Sequence, residues 1–172
     1  GGICLNWGCI PTKALLRAAE LRHSIGEMKS FGITVGEVTV DVPALVKRSR
    51  KVAARLSSGV TNLLKKNKIP VIEATATIGK KFKNGREVLL SDGNSISAGH
   101  VIIATGARAR SLPGIVPDGT AISTYREAMV PQDMPKSLII VGSGAIGAEF
   151  ASFYNDMGVE VTLIEALDRI LP

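Results

Sequence analysis

The hexapeptide Gly142-Ser143-Gly144-Ala145-Ile146-Gly147 sits between the apolar run Ser137 to Val141 and an amphipathic stretch from Ala145 to Met157. Three glycines at that spacing, at a junction of strand and helix, leave little choice of local structure. Gly142 permits a tight turn, and Gly144 lets the backbone come close to a pyrophosphate. Gly147 lets helix and strand pack closely, while the helix N-terminus faces the anion. A second strand follows from Glu160 to Glu165. Strand, helix, strand in this order makes a parallel unit, so the chain is α/β. Glu165 lies 23 residues after Gly142, near the distance at which an acid hydrogen-bonds the ribose 2′-hydroxyl of a dinucleotide. A carboxylate there repels a 2′-phosphate and favours NAD over NADP, with Asp168 and Arg169 read as surface residues. A strand-to-helix turn with no ligand is the bland alternative.

With 172 residues, 45% hydrophobic and 21% charged, the chain can bury a core but holds at most one large or two small domains. No run approaches the ~18 to 20 apolar residues needed to cross a bilayer, and no secretory pattern opens the sequence, so no membrane role is expected. Net charge is +6, unevenly spread: +11 over residues 1–86 and −5 over 87–172. The basic residues fall in short clusters (Lys47, Arg48, Arg50, Lys51; Lys65, Lys66, Lys68; Lys80, Lys81, Lys83, Arg86) with almost no aromatics among them. Solvated helix faces and turns account for them better than a nucleic-acid surface.

Apolar residues at three- and four-residue steps predict a helix from Pro11 to about Lys29, ending near Gly32. Asp41 as N-cap and Pro43 in the first turn predict a second, with Val42, Leu45, Val46, Val52, Ala53, Leu56, Val60, Leu63 and Leu64 along one face. Strands are expected at Val71 to Ile78, Glu87 to Ser91 and His100 to Ala104, separated by Asn84-Gly85 and Asp92-Gly93 turns. The Pro- and Gly-rich stretch Leu112 to Gly119 separates the basic part from the acidic part. It divides the chain into residues 1–115 and 116–172. Gly1 opens the sequence like a cut edge, and Pro172 comes a few residues after the second strand of a parallel unit that needs further strands to cover it. The second domain reads as unfinished.

The two cysteines, Cys4 and Cys9, are five residues apart. In one regular α-helix their Cα atoms would be roughly 8 to 9 Å apart, beyond the ~7 Å limit for a disulfide. Bridging them therefore requires a distorted turn, for which Gly8 supplies permissive backbone. Pro11 suits a first helical turn, which puts Cys9 at a helix N-terminus and Cys4 on the turn before it. The positive end of that helix and the charge of Lys13 would favour a Cys9 thiolate, making the pair a candidate redox element. A zinc half-site and two inert cysteines remain as alternatives. Zinc needs about four ligands, and His23 and His100 each stand alone.

The stretch Gly1-Gly2-Ile3-Cys4-Leu5-Asn6-Trp7-Gly8-Cys9-Ile10-Pro11-Thr12-Lys13 resembles the redox motif of the pyridine nucleotide-disulfide oxidoreductases, a family of flavoenzymes. Leu5-Asn6 and Ile10-Pro11-Thr12-Lys13-Ala14-Leu15-Leu16 are most similar to the branch that reoxidises protein-bound dihydrolipoamide. The resemblance runs over the whole chain, which corresponds to a middle portion of the family's length. It implies two incomplete Rossmann-like nucleotide-binding domains: residues 1–115 as part of an FAD domain lacking its first βαβ unit, and 116–172 as part of an NAD domain ending after its second strand. Cys4 would be the thiol that exchanges with substrate, and Cys9 the thiolate beside the flavin. Lys13 would lie near the flavin and pair with Glu149, the two completing the catalytic set. Ala76, Thr105, Gly106 and Ala107 would contact FAD, and residues 142–147 with Glu149 and Glu165 would contact NAD. Electrons would pass from dihydrolipoamide to the cysteine pair, to FAD and to NAD⁺. The resemblance further implies lipoyl domains of 2-oxoacid dehydrogenase or glycine-cleavage complexes as partners, a homodimer, and a bacterial cytoplasmic location or, alternatively, a mitochondrial matrix or plastid one. Other branches, reducing glutathione disulfide or mercuric ion with NADPH, are the competing reading. The 172 residues alone are expected to be inactive. Two departures from the family pattern stand out: Ala74 replaces a frequent Gly, and Trp7 replaces the commoner Val.

Overall fold

The computed structural model describes residues 2–171, so Gly1, the first glycine of the cysteine motif, and Pro172 lie outside the described residues. The chain gathers into two compact units, one made of residues up to Ser58 together with those from Ala107 onward, the other of Gly59–Gly106.

In the first unit, a short helix α1 (Ile3–Trp7) precedes α2 (Cys9–Glu27), where the sequence pattern predicts only a turn. The two are separate because Gly8 takes φ −146° and ψ −126°, outside the helical region. Helix α2 carries the expected apolar stripe, tightens into a 3-10 turn over Met28–Phe31 and ends on Gly32 at φ 76°, a left-handed cap suited to glycine. Helix α3 (Val42–Lys66), whose residues from Gly59 onward belong to the second unit, starts as its cap predicts, with Asp41 Oδ1 accepting the Ala44 N–H at 2.9 Å. A four-residue helix, α4 (Tyr125–Ala128), opens on a capping box: the Thr124 N–H donates to Glu127 Oε2 at 2.9 Å and the Arg126 N–H donates to Thr124 Oγ1 at 3.4 Å.

The remainder of this unit is the strand–helix–strand element. Strands β4 (Ser137–Val141) and β5 (Glu160–Ile164) pair in parallel from Ser137 opposite Glu160 to Val141 opposite Ile164, with α5 (Ala145–Asp156) crossing between them. Their burial alternates: Leu138, Ile140 and Val161 pack toward the core, while Ile139, Val141 and Ile164 stay exposed. A continuous apolar run is the pattern of a strand covered on both faces, and within this chain one face is covered. The core lies where α2 meets α5: Leu15 and Ala19 against Phe150, Phe153, Tyr154 and Met157, with Met129 and Val159 closing the ends. The Tyr154 hydroxyl satisfies itself there by donating to the Ala128 carbonyl at 2.7 Å, and burial raises its pKa to about 12.

The second unit holds an antiparallel sheet in the order β1 (Ala76–Phe82), β2 (Gly85–Leu90), β3 (Ser95–Ala98). The β1–β2 turn and the Asp92-Gly93 turn fall where the sequence puts them, and β3 is an unexpected addition. The strand expected at Val71 to Ile78 begins only at Ala76, and the one expected at His100 to Ala104 does not form. Both misses have one cause. Apolar β-favouring residues make a strand only where a neighbour completes the hydrogen-bond ladder. Among the described residues nothing pairs with His100 to Ala104, and Ile102 is left 90% exposed.

Candidate functional site

The cysteine turn is assembled by backbone at Gly8 and by side chains brought from α3 and α4. A Cβ at Gly8 would stand 3.0 Å from both Cys4 Cα and the Ile3 carbonyl oxygen, so a side chain there would press α1 away by a few tenths of an ångström. The Gly8 carbonyl accepts the Thr12 N–H at 3.1 Å and the Thr12 hydroxyl at 2.8 Å, anchoring the turn to α2. Cys9 is the first residue of α2, as the sequence pattern expects, while Cys4 sits within α1 rather than on an open turn. Both thiols are free and exposed. The neighbouring Cys9 thiol is the largest influence on Cys4 and raises its pKa, with the Lys13 charge acting in the opposite sense.

Between the cysteines, Trp7 carries two guanidinium groups. Arg50 Cζ lies 4.0 Å from the ring centroid and Arg126 Cζ lies 5.2 Å from it. Arg50 Nη1 also donates to the Asn6 carbonyl at 2.5 Å and approaches Met129 Sδ at 4.0 Å. Partial burial lowers the pKa of Arg50. The reading of its cluster as a solvated helix face is therefore corrected at this position. Arg48 stays exposed while donating to the Ala14 carbonyl at 3.1 Å.

Lys13 on α2 and Glu149 on α5, 136 residues apart, form an ion pair between Nζ and Oε1, with side chains 61% and 30% exposed. Further along the same pair of helices, His23 faces Asp156 and Glu27 at 3.3 Å each, and Arg22 donates to the Asp156 carbonyl. Exposed pairs of this kind add little stability; the Lys13–Glu149 and His23–Asp156 contacts run from α2 to α5.

At the glycine-rich turn, Gly142 adopts φ 104°, a conformation that disfavours any side chain, and a Cβ on Gly147 would fall 1.9 Å from the Gly142 carbonyl oxygen. Gly144, the N-cap of α5, has nothing within 4 Å of its missing Cβ, so its backbone is open to close approach. No side chain caps that helix start, which leaves its first N–H groups for an anion. Glu165 reaches back from the end of β5: Oε2 accepts the Ser143 N–H at 2.7 Å and the Ser143 hydroxyl at 2.8 Å. Oε1 accepts the N–H groups of Ala166 and Leu167 at 2.7 and 3.0 Å. Four donors on one carboxylate, the Ser143 N–H foremost, hold its pKa at about 2. Ala145 and Ile146 are exposed in the first turn, and Ser143 is fully buried.

Of the remaining expected residues, Ala76 opens β1 as an exposed residue opposite Leu90. Thr105, Gly106 and Ala107 lie in exposed irregular backbone, with Gly106 at φ 83°. The small side chains and open backbone of this segment are compatible with a bound cofactor. Arg50, Arg126 and the Asn6 carbonyl are functional features that no local pattern in the sequence marks. The available signal was the lone tryptophan, an aromatic between two cysteines in a chain rich in arginine.

A family model described as pyridine nucleotide-disulphide oxidoreductase matches residues 1–172. A dihydrolipoyl dehydrogenase of Rhizobium etli is 51% identical, over 100% of this chain and 39% of its own length. The Zymomonas mobilis enzyme of the same name is 48% identical, over 100% and 37%. Among solved structures, LpdA from Mycobacterium tuberculosis superposes with a TM-score of 0.88 at 30% identity, covering 100% of this chain and 38% of that one. The HOCl-induced flavoprotein disulfide reductase RclA from Escherichia coli, solved as a Cu(II) complex, gives 0.73 at 28% identity, covering 100% and 35%. The chain thus spans less than two fifths of these relatives.

Proposed function

Because the chain belongs to the pyridine nucleotide-disulphide oxidoreductase family, we propose that it carries the redox centre and part of the nucleotide sites of an enzyme that reoxidises protein-bound dihydrolipoamide. The observation that carries this reading is the placement of two exposed, free cysteines on either side of the Gly8 break, with Cys9 opening α2 one turn before the Lys13–Glu149 ion pair.

In the oxidised pair, a substrate thiolate attacks Cys4 Sγ, breaking the Cys4–Cys9 bond and releasing Cys9 as a thiolate. The second substrate thiol then attacks the mixed disulfide, forming lipoamide and freeing Cys4. Two electrons thus enter the protein, and two protons are lost from the dithiol. The sulfur released in the first step belongs to Cys9, the first residue of α2, at the positive end of the helix dipole. Lys13, held by Glu149, adds a cation on the same face. FAD, when bound, supplies the two-electron acceptor and NAD⁺ the final hydride acceptor. Ala76, Thr105, Gly106, Ala107 and Lys13 are the residues assigned to FAD, and residues 142–147 with Glu149 and Glu165 to NAD. We keep 1–115 and 116–172 as the parts of the two corresponding domains. An anionic Glu165 opposes a 2′-phosphate, which supports NAD over NADP.

Lipoyl domains of 2-oxoacid dehydrogenase or glycine-cleavage complexes as partners, a homodimer and a bacterial cytoplasmic setting belong to the same proposal. No helix among the described residues is long and apolar enough to cross a membrane. The test is dihydrolipoamide-dependent NADH formation by the full-length protein. Cys4→Ser and Cys9→Ser should each abolish it. Retention of wild-type activity by either variant would remove that sulfur from the pathway.

A further inference from the structure

The pair of guanidinium groups on Trp7 does not belong to any part of the chemistry above. Trp7 lies in the four-residue span Leu5-Asn6-Trp7-Gly8 that a Cys4–Cys9 disulfide would close into a ring. Two of those four residues are held by one side chain from a distant helix: Arg50 stacks on the Trp7 ring at 4.0 Å and donates to the Asn6 carbonyl at 2.5 Å. Arg126 lies further from the ring at 5.2 Å. Asn6 is tied a second time, its Nδ2 donating to the Gly2 carbonyl at 3.1 Å. A half-buried guanidinium suits this place. Its plane covers an aromatic face while an edge N–H meets a carbonyl, two demands that an ammonium group cannot meet with the same geometry.

We propose that Arg50 is a positioning residue for the redox pair: by clamping Asn6 and Trp7 it holds the short ring between Cys4 and Cys9 near its closed shape and so stabilises the disulfide over the dithiol. The inference rests on the redox role proposed for the two cysteines. Ordering the span in the dithiol removes part of the entropy that closure otherwise costs, so the effective concentration of one sulfur at the other rises. Loosening the clamp should shift the equilibrium toward free thiols without touching either sulfur.

The experiment equilibrates the protein anaerobically with glutathione and glutathione disulfide, quenches with acid and counts alkylated cysteines. In the reaction measured, Cys4 and Cys9 lose two protons and two electrons as their S–S bond forms. Glutathione disulfide takes these up and leaves as two glutathione thiols. Arg50→Met should lower the equilibrium constant for disulfide formation about tenfold, which is ~30 mV for a two-electron couple. Arg50→Lys, which keeps the charge but loses the planar fork, should shift it at least threefold in the same direction. Arg55→Met, exposed on the same helix, should leave it unchanged. Trp7 is the only tryptophan in the chain, and its emission should change in both Arg50 variants and not in Arg55→Met. If Arg50→Met does not fold, the Lys variant carries the test. A wild-type equilibrium constant in either Arg50 variant would overturn the proposal. A wild-type protein whose cysteines never pair in any glutathione buffer would instead overturn the redox reading on which it rests.

Discussion

The cysteine turn and the glycine-rich turn are both breaks before a helix in the same compact unit, yet they are held by different means. The glycine-rich turn is shaped by its own backbone, through Gly142 at φ 104° and the Gly147 contact with the Gly142 carbonyl, and by one acid 23 residues from Gly142. The cysteine turn depends on Gly8 too, but Asn6 and Trp7 within it are held by Arg50, 44 residues from the Asn6 carbonyl it binds, and Arg126 reaches the same tryptophan from α4. Under the proposed function the first turn presents backbone to an anion, which local rigidity serves, and the second makes and breaks a bond, which supports from outside the Cys4–Cys9 span would serve.

Three substitutions test that contrast. The largest effect is expected for Gly147→Ala. Its Cβ would fall 1.9 Å from the Gly142 carbonyl oxygen, so strand and helix must separate, at a cost of roughly 3 kcal/mol in chemical denaturation. Near wild-type stability would mean that the turn is not backbone-limited. Gly8→Ala comes next. Its contacts at 3.0 Å with Cys4 Cα and the Ile3 carbonyl call for a smaller shift of a short helix, roughly 1 to 2 kcal/mol, together with weaker pairing of the cysteines. Unchanged thiol pairing would leave the turn governed by its side chains alone.

The smallest effect is a pH dependence. Glu165 has its pKa depressed from 4.5 to about 2 by the Ser143, Leu167 and Ala166 donors. A depressed carboxylate contributes stability that is present above its ordinary pKa and is lost as pH falls through its folded value. Glu165→Gln should therefore melt below wild type at pH 7, and the gap should narrow between pH 4.5 and about 2. A gap independent of pH would show that the carboxylate charge adds nothing to the turn.

Legibility in the sequence follows the same division. The Gly-x-Gly-x-x-Gly turn, the Asp41 cap, the Gly32 stop and the placement of Cys9 at a helix start are local rules, and each is visible from residue type and spacing alone. The apolar run at His100 to Ala104 misleads because strand formation depends on a partner that residue type does not reveal. Arg50 was hidden for a related reason: in Lys47-Arg48-Ser49-Arg50-Lys51 nothing local separates the guanidinium that turns inward from the cations that remain in water. The Lys13–Glu149 pair, 136 residues apart, was legible only through family resemblance, since neither residue has a sequence neighbour that points to the other.

The most direct measurement is peptide mapping of the full-length protein after exposure to excess lipoamide, with free thiols blocked at acid pH. The account expects one new linked peptide joining Cys4 to Cys9 and its loss on adding dihydrolipoamide. Two cysteines that remain separately alkylated under both conditions would contradict it.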